Sequence, residues 1–238
     1  MIPHFESRGA VAEVLRQLAE LGLPTLVVDD GSRPEELRTV RAACREAGAE
    51  LIERPRNGGK GAAMKDGLRA AAARGFSHAL QVDADGQHCC ADVPAFLEAA
   101  RARPETLVLC SPRYGKDAPL GRILGRQISR FWVVVETLSR DIADPFVGFR
   151  IYPLESCMAA FEEGGIGDRM DFDLDIAVRL HWLGVPVVNV PSVIRYPEGG
   201  VSHFRMLSDN LLISRAHARL CFGMFVRAPR ILVRRLRR

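Results

Sequence analysis

Apolar residues fall at Val11, Val14, Leu15, Leu18 and Leu21, the spacing of a helix with one buried face, and Gly22 and Pro24 end it. Thr25-Leu26-Val27-Val28 is an unbroken apolar run and reads as a buried strand. The alternation repeats: a helix from Glu35 to Ala47, a strand from Glu50 to Glu53, and a glycine-rich loop opening a helix from Gly61 to Arg74. A strand from His78 to Val82, a helix from Val93 to Arg103 and a strand from Thr106 to Cys110 follow. Strands alternating with helices of this length predict a Rossmann-like α/β fold, with a mostly parallel central sheet and helices on both faces. Ligands of such sheets sit beyond the carboxyl ends of the strands, which places Asp29 and Asp30, Arg56 to Gly61, and Asp83 to His88 around one crevice. Past residue 111 the pattern changes to a helical stretch from Leu120 to Arg140, a turn at Gly148-Phe149-Arg150, a helix from Asp171 to Leu183 and a strand from Val185 to Val190. There is no internal repeat, low-complexity segment or convincing interdomain linker.

Composition narrows this picture. With 238 residues, 47% of them hydrophobic, one good-sized core is available and two full domains would be cramped. The net charge of +4 is unevenly spread, because eight arginines and no acid lie between Asn210 and Arg238. Among those arginines stand Leu220, Phe222, Met224, Phe225, Ile231, Leu232 and Val233, as in a helix lying on an anionic membrane surface. A solvated basic end or an oligomer contact would share that composition. Nucleic acid is disfavoured as a partner, since the aromatics cluster in the apolar run instead of interleaving with the basic residues. The uncharged stretch from Leu220 to Val226 is far shorter than the roughly 20 residues of a spanning helix. Met1 to Glu6 lacks the features of a signal peptide, and the six cysteines show neither a CxxC pair nor zinc spacing. The expectation is a cytoplasmic protein, peripheral on the inner face of the membrane.

Three short segments carry the candidate chemistry. Asp83-Ala84-Asp85 follows an apolar strand, and in extended backbone both carboxylates would point to one side and could meet one divalent cation. Gln87 could add an amide oxygen and His88 a nitrogen. The plainer reading is a pair of aspartates that begin a loop through an Asx turn. Asp29-Asp30-Gly31-Ser32 offers acceptors for a base or a ribose at another strand end. In Arg56-Asn57-Gly58-Gly59-Lys60-Gly61, glycines let backbone approach a phosphate that Lys60 or Arg56 can neutralise near a helix N-terminus. The loop is neither a Walker A sequence nor a full GxGxxG, which disfavours an ATPase or a dinucleotide enzyme.

Taken in order, these segments resemble the family 2 glycosyltransferases of GT-A fold, over nearly the whole chain. Asp83 to His88 is similar to the Asp-Ala-Asp-x-Gln-His stretch of the dolichyl-phosphate mannose synthase branch, as are Ser111-Pro112-Arg113-Tyr114 and Val147-Gly148-Phe149-Arg150. The resemblance implies a nucleotide-diphospho-sugar donor, Mg²⁺ or Mn²⁺ held by Asp83, Asp85 and Gln87, and Asp30 at the nucleobase. Donor contacts are expected from Pro3, Asp29, Asp30, Asn57, Lys60, Asp83, Ala84, Asp85, Arg113 and Arg126. Arg113 and Arg150 would meet the phosphate of a lipid-phosphate acceptor, and His203 is a further candidate for such a contact. The segments from Arg122 to Arg126, Met170 to Asp175 and Tyr196 to Phe204 more closely resemble bacterial family 2 enzymes associated with acyltransferases and lipid pathways. Residues 1–218 are then expected to form the GT-A domain, with a donor half of about 1–115 and an acceptor half of about 116–218, and 219–238 the basic amphipathic tail. One departure is the start: Pro3-His4-Phe5-Glu6 stands where family members end a full strand in Pro-x-Tyr-Asn, so most of the first strand is expected to be missing.

The reaction implied is direct inverting displacement at the anomeric carbon. An ionised lipid phosphate needs no general base, whereas a hydroxyl acceptor needs a carboxylate. Asp144, Asp173 and Asp175 are the candidates, with Asp175 and Asp144 placed first. Against this, Asp171, Asp173 and Asp175 also suit a helix's first turn, and Arg113 and Arg150 suit ordinary ion pairs. A nucleotidyltransferase would share the crevice but would carry a glycine-rich basic signature near the first strand, absent here. A catalytically idle module recruited to membranes is the remaining alternative.

Overall fold

The structure, a computed structural model, describes residues 1–7, 9–114, 120–195 and 205–236, without the side chains of Leu120, Arg122, Ile123 and Arg235. The first half alternates β1 (Ile2–His4), α1 (Ala10–Ala19), β2 (Leu26–Asp29), α2 (Pro34–Ala47), β3 (Glu50–Glu53), α3 (Lys60–Ala73), β4 (His78–Gln81), α4 (Val93–Ala102) and β5 (Leu107–Tyr114). The second half holds α5 (Leu120–Thr137), β6 (Arg150–Pro153), α6 (Leu154–Glu163), α7 (Phe172–Leu183), β7 (Val187–Ile194) and α8 (Met206–Leu236). Local signals set several of these limits. Val11, Val14, Leu15 and Leu18 form the buried stripe of α1. Pro34 opens α2, and Gly48 closes it in the left-handed conformation, φ 64°.

β1 pairs parallel with β2, and β2 with β3. On the other side, β4 and β5 flank β6 antiparallel, while β5 pairs parallel with β7 over eight residues. The Met1 amine donates to Leu80 O (2.7 Å) and the Val82 N–H to Met1 O (3.1 Å), joining the two groups. The strand order is therefore β3-β2-β1-β4-β6-β5-β7. Among the described strands only β6 runs against the rest, so the mostly parallel α/β sheet expected from the alternation is present. Side chains divide between two cores as strand alternation requires. Leu107 and Leu109 join α3, α5, α6, α7 and α8, while Val108 and Cys110 join α1, α2 and α4. α7 is buried on nearly every side.

Several expectations change. The turn at Gly148-Phe149-Arg150 leads directly into β6, and α6 follows it; four strand residues and a weakly patterned ten-residue helix carry little periodicity of their own. β1 is a short, fully buried strand of three residues. The helix expected to reach Arg140 ends at Thr137, and the strand expected over Val185 to Val190 is β7. The division drawn at 218/219 falls inside α8, one continuous helix of 31 residues. The resemblance at Tyr196 to Phe204, including His203, lies outside the described residues, as do Arg237 and Arg238.

Candidate active site

Because β2, β3 and β4 are parallel, Asp29, Arg54 and Asp83 all follow or end strands at one edge of the sheet. Lys60, the first residue of α3, stands at the centre of the carboxylates. Its Nζ donates to Asp83 Oδ2 at 2.9 Å and to Asp173 Oδ2 at 2.8 Å. Burial alone would lower the Lys60 pKa, but Asp173 and Asp83 outweigh it and hold the ammonium above its ordinary range. Asp83 feels the same balance: burial raises its pKa, the Lys60 charge overcomes that, and the carboxyl stays well below its usual range.

Asp83 is aimed by a buried relay. The Tyr152 hydroxyl donates to Gln81 Oε1 (2.8 Å), and Gln81 Nε2 donates to Asp83 Oδ1 (2.9 Å). Behind the carboxylate, Gly148 leaves room that a Cβ would take: one would stand 2.5 Å from Gln81 Nε2 and in collision with both Asp83 oxygens. The extended geometry expected to align Asp83 with Asp85 is not what joins them. The chain turns at Ala84 and Asp85, and Asp85 Oδ1 accepts the Gln87 N–H at 3.0 Å. The Asx turn is thus real, yet the two acids still act on each other: burial first, and then the Asp83 charge, raise the Asp85 pKa. Ala84 is buried between them. His88 stacks on Phe149 (5.2 Å), its Nε2 lies 3.5 Å from Asp83 Oδ2, and neither buried ring nitrogen has a hydrogen-bond partner among the described residues.

The residues expected to hold the base and ribose are occupied within the chain. Asp30 accepts the N–H groups of Gly58 (2.9 Å) and Gly59 (2.7 Å) and pairs with Arg54, so it shapes the glycine loop. Asp29 contacts His4 Nδ1 (2.8 Å) and accepts the Ser32 N–H (2.9 Å); burial opposes its charge, but these bonds leave its pKa lowered. Pro3 is buried in β1 opposite Val28. Asn57 is exposed. Gly59 (φ +101°) and Gly61 are packed against the 167–172 segment: a Cβ on Gly59 would meet Asp168 O at 2.5 Å, and one on Gly61 Gly167 O at 2.6 Å. These glycines serve close packing of loop on loop, a role beside the phosphate approach expected of them.

Three expected catalytic groups are engaged within the fold. Arg150 has no exposed surface, and its guanidinium donates to the carbonyls of Val147 (2.7 Å), Asp173 (2.7 Å) and Pro145 (2.6 Å). Such a side chain positions the Gly148 loop and the start of α7 and has no face left for an acceptor phosphate. Asp144 accepts from Arg126 (2.5 Å), the Tyr114 hydroxyl (3.3 Å) and the N–H groups of Phe146 (2.8 Å) and Val147 (3.0 Å). Asp175 is fully buried and points elsewhere than Asp173, since two residues on a helix are about 200° apart. Its Oδ2 accepts the Gly167 N–H (2.8 Å) and pairs with Arg219, while burial raises its pKa. Arg113 is exposed near the end of β5, opposite Val193. Of the three candidate acids, Asp173 is the one bonded to Lys60.

Gln81, Tyr152 and Arg54 were not singled out from the sequence, and Gly148 was read there only as part of a turn and of the Val147-to-Arg150 resemblance. For Gln81 a signal existed, a polar residue after Ala79-Leu80 and two positions before Asp83. Among the described residues, no three His, Cys, Asp or Glu side chains converge as a metal cage. Mutually repelling Asp83 and Asp85, with an unsatisfied imidazole alongside, still fit a hard cation whose remaining positions go to water and phosphate. A cavity of about 740 Å³ lies at the opposite edge of the sheet, between Thr25-Leu26 and His78-Ala79, away from these groups.

The mostly parallel sheet, with a lysine bridging acids over its carboxyl edge, is an α/β architecture of the GT-A class. The chain belongs to the family 2 glycosyltransferases: the model of Glycosyl transferase family 2 matches residues 1–160. An undecaprenyl-phosphate mannosyltransferase of Micrococcus luteus is 30% identical over 191 residues, 74% of this chain and 74% of that protein. An uncharacterized protein of Methanocaldococcus jannaschii is 27% identical over 218 residues, 85% of this chain and 90% of the relative. Among solved structures, glucosyl-3-phosphoglycerate synthase from Mycobacterium tuberculosis in complex with uridine-diphosphate superposes with a TM-score of 0.65. At 15% identity, covering 94% of this chain and 78% of that one, it shows the shared fold. The same enzyme with Mn²⁺ and uridine-diphosphate-glucose gives 0.64 at 15% identity, over 94% and 77%.

Proposed function

We propose that the chain moves a sugar, with inversion, from a nucleotide-diphospho-sugar to a lipid phosphate at a membrane surface, aided by Mg²⁺ or Mn²⁺. The observation that carries this reading is the Lys60 bridge between Asp83 and Asp173 beside Asp85. Lys60 neutralises the diphosphate, and its release from Asp83 frees that carboxylate for a cation. Asp83 and Asp85, with Gln87, would hold the ion, which supplies charge stabilisation for the leaving diphosphate. Tyr152 and Gln81 keep Asp83 in place, and Asp173 keeps Lys60 in the site. The engagement of Asp144 and Asp175, each held by an arginine and by backbone N–H groups, favours an acceptor that is already ionised near neutral pH, because neither carboxylate is placed to reach an acceptor hydroxyl. The name of the Micrococcus luteus relative supports a polyprenyl-phosphate-type acceptor, and the Mn²⁺ complex of the mycobacterial enzyme supports a divalent ion. Residues 1–218 form the catalytic unit on this reading, with about 1–115 for the donor and about 116–218 for the acceptor, and 219–238 the membrane-facing tail.

Melting curves with UDP- and GDP-sugars, with and without Mg²⁺ or Mn²⁺, test the donor half. A ligand at a hundred times its Kd adds about 2.7 kcal/mol to stability. The expected result is a metal-dependent rise with one nucleotide class that Asp85→Ala removes. No rise with any donor, or a rise indifferent to metal, would overturn the proposal.

A further inference from the structure

Outside the catalytic crevice, α5 and α8 pack against each other, and each presents a second, exposed apolar stripe that has no partner among the described residues. On α5 the core side is Ser129, Val133 and Glu136, and the opposite side carries Leu124, Ile128, Phe131 and Trp132, which are 41–65% exposed. On α8 the core side runs through Ala216, Leu220 and Met224, whereas Leu207, Leu211, Phe222, Phe225 and Leu236 are 53–90% exposed. Spacings of three and four residues on α5, and of three, four and eleven (three turns) on α8, make both stripes genuine helix faces. Apolar surface repeated along two neighbouring helices is more than the scattered exposure common on soluble proteins.

Charge identifies the occupant. Arg130 on α5 and Arg215 and Arg230 on α8 are exposed. The only acid in α5 is Glu136, fully buried against His217, and the only acid in α8 is Asp209, which caps the helix by accepting the Arg205 N–H. A second copy bound through a two-fold axis would set these arginines near their own kind, with no exposed acid on either helix to answer them. A sheet of anionic headgroups over an acyl interior answers both the arginines and the apolar stripe.

We infer that α5, together with the outer face of α8 along its whole length, is the surface by which the protein lies on an anionic lipid bilayer. Docking is therefore not confined to the tail after residue 218. α5 also carries Arg126, bonded to Asp144 beside Tyr114, so the acceptor side of the crevice would open at the headgroup level. That last consequence rests on the lipid-acceptor reading; the docking itself does not.

The two tryptophans make the test direct, since Trp132 is 41% exposed on the stripe and Trp182 is buried under Arg227. Vesicles of phosphatidylcholine alone, or with phosphatidylglycerol, carry brominated acyl chains and neither donor nor polyprenyl phosphate. Expected are quenching of Trp132 in the anionic vesicles only, its loss in Trp132→Phe, and about tenfold weaker vesicle binding by Ile128→Ser/Phe131→Ser with an unchanged melting temperature. Vesicle binding without quenching would confine docking to the tail and overturn the inference. So would undiminished binding by the double variant, or a wild-type dimer in light scattering that this variant dissolves. If the double variant folds poorly, the quenching of wild type against Trp132→Phe decides alone. The donor melts described above proceed without lipid, so failure of docking and failure of the enzymatic reading are separable.

Discussion

Gly148→Ala adds one methyl group behind the Asp83 carboxylate. Gly148 has no positive φ, so the substitution carries no backbone strain and its effect is purely one of space. The new Cβ would stand 2.5 Å from Gln81 Nε2, against a comfortable separation of about 3.5 Å, so the amide or the carboxylate must retreat by about 1 Å. Asp83 cannot retreat that far and keep both its 2.9 Å bonds, from Gln81 and from Lys60. Overpacking a tight site costs about 1–3 kcal/mol. Loss of a hydrogen bond to a charged group costs about 1.5–3 kcal/mol. With partial relaxation the total is about 2–4 kcal/mol, or a fall in Tm on the order of 10 °C for a chain of this size. Because Asp83 is the proposed metal ligand, the affinity for Mn²⁺ with a nucleoside diphosphate should drop about 10–100-fold, the usual effect of disturbing a ligand's support. Differential scanning fluorimetry and titration calorimetry measure the two effects. A Gly148→Ala protein that melts within a degree or so of wild type and binds metal and nucleotide equally well would refute the packing argument and the place given to Asp83.

Arg150→Lys should destabilise the fold by about 3 kcal/mol or more in urea titration, as three carbonyls lose a shared donor; unchanged stability with lost transfer would instead mark Arg150 as an acceptor contact. Asp173→Asn should lower turnover at least about tenfold by loosening Lys60, whereas Asp175→Asn, which keeps an acceptor for Gly167, should leave turnover within about threefold; the reverse ranking in steady-state assays would restore Asp175 as the working acid. Burial raises the pKa of Glu136 above 4.5, against the pull of its bond to His217. A raised folded-state pKa in an acid means stability is fully present below the unfolded value and declines as pH rises through the folded one. The stability of wild type relative to Glu136→Gln should therefore improve as pH falls from 7 toward 4.5, and a flat difference across that range in thermal melts would remove this account.

The donor half was legible because its signals are local. Val14 and Leu18 announce a helix face within a few residues, Gly22 and Pro24 punctuate it, and Asp83 follows the apolar strand that delivers it. β6 and α6 were not legible as elements, since β6 is specified by its neighbours β4 and β5 more than by its own four residues. In the site the division is sharper. The sequence alone determined which acids and which lysine stand at strand ends and helix starts, because those positions follow from periodicity and backbone stereochemistry. It placed Asp175 and Asp144 ahead of Asp173, although Asp171, Asp173 and Asp175 lie in one stretch and suit a helix dipole about equally well. The tertiary structure chose Asp173, 113 residues from Lys60, because the packing of α7 against α3, α5, α6 and α8 sets the rotation of that helix. It likewise turned Arg150 inward and left one face of α5 bare, since burial and its complement depend on what packs against a helix, which no local pattern encodes.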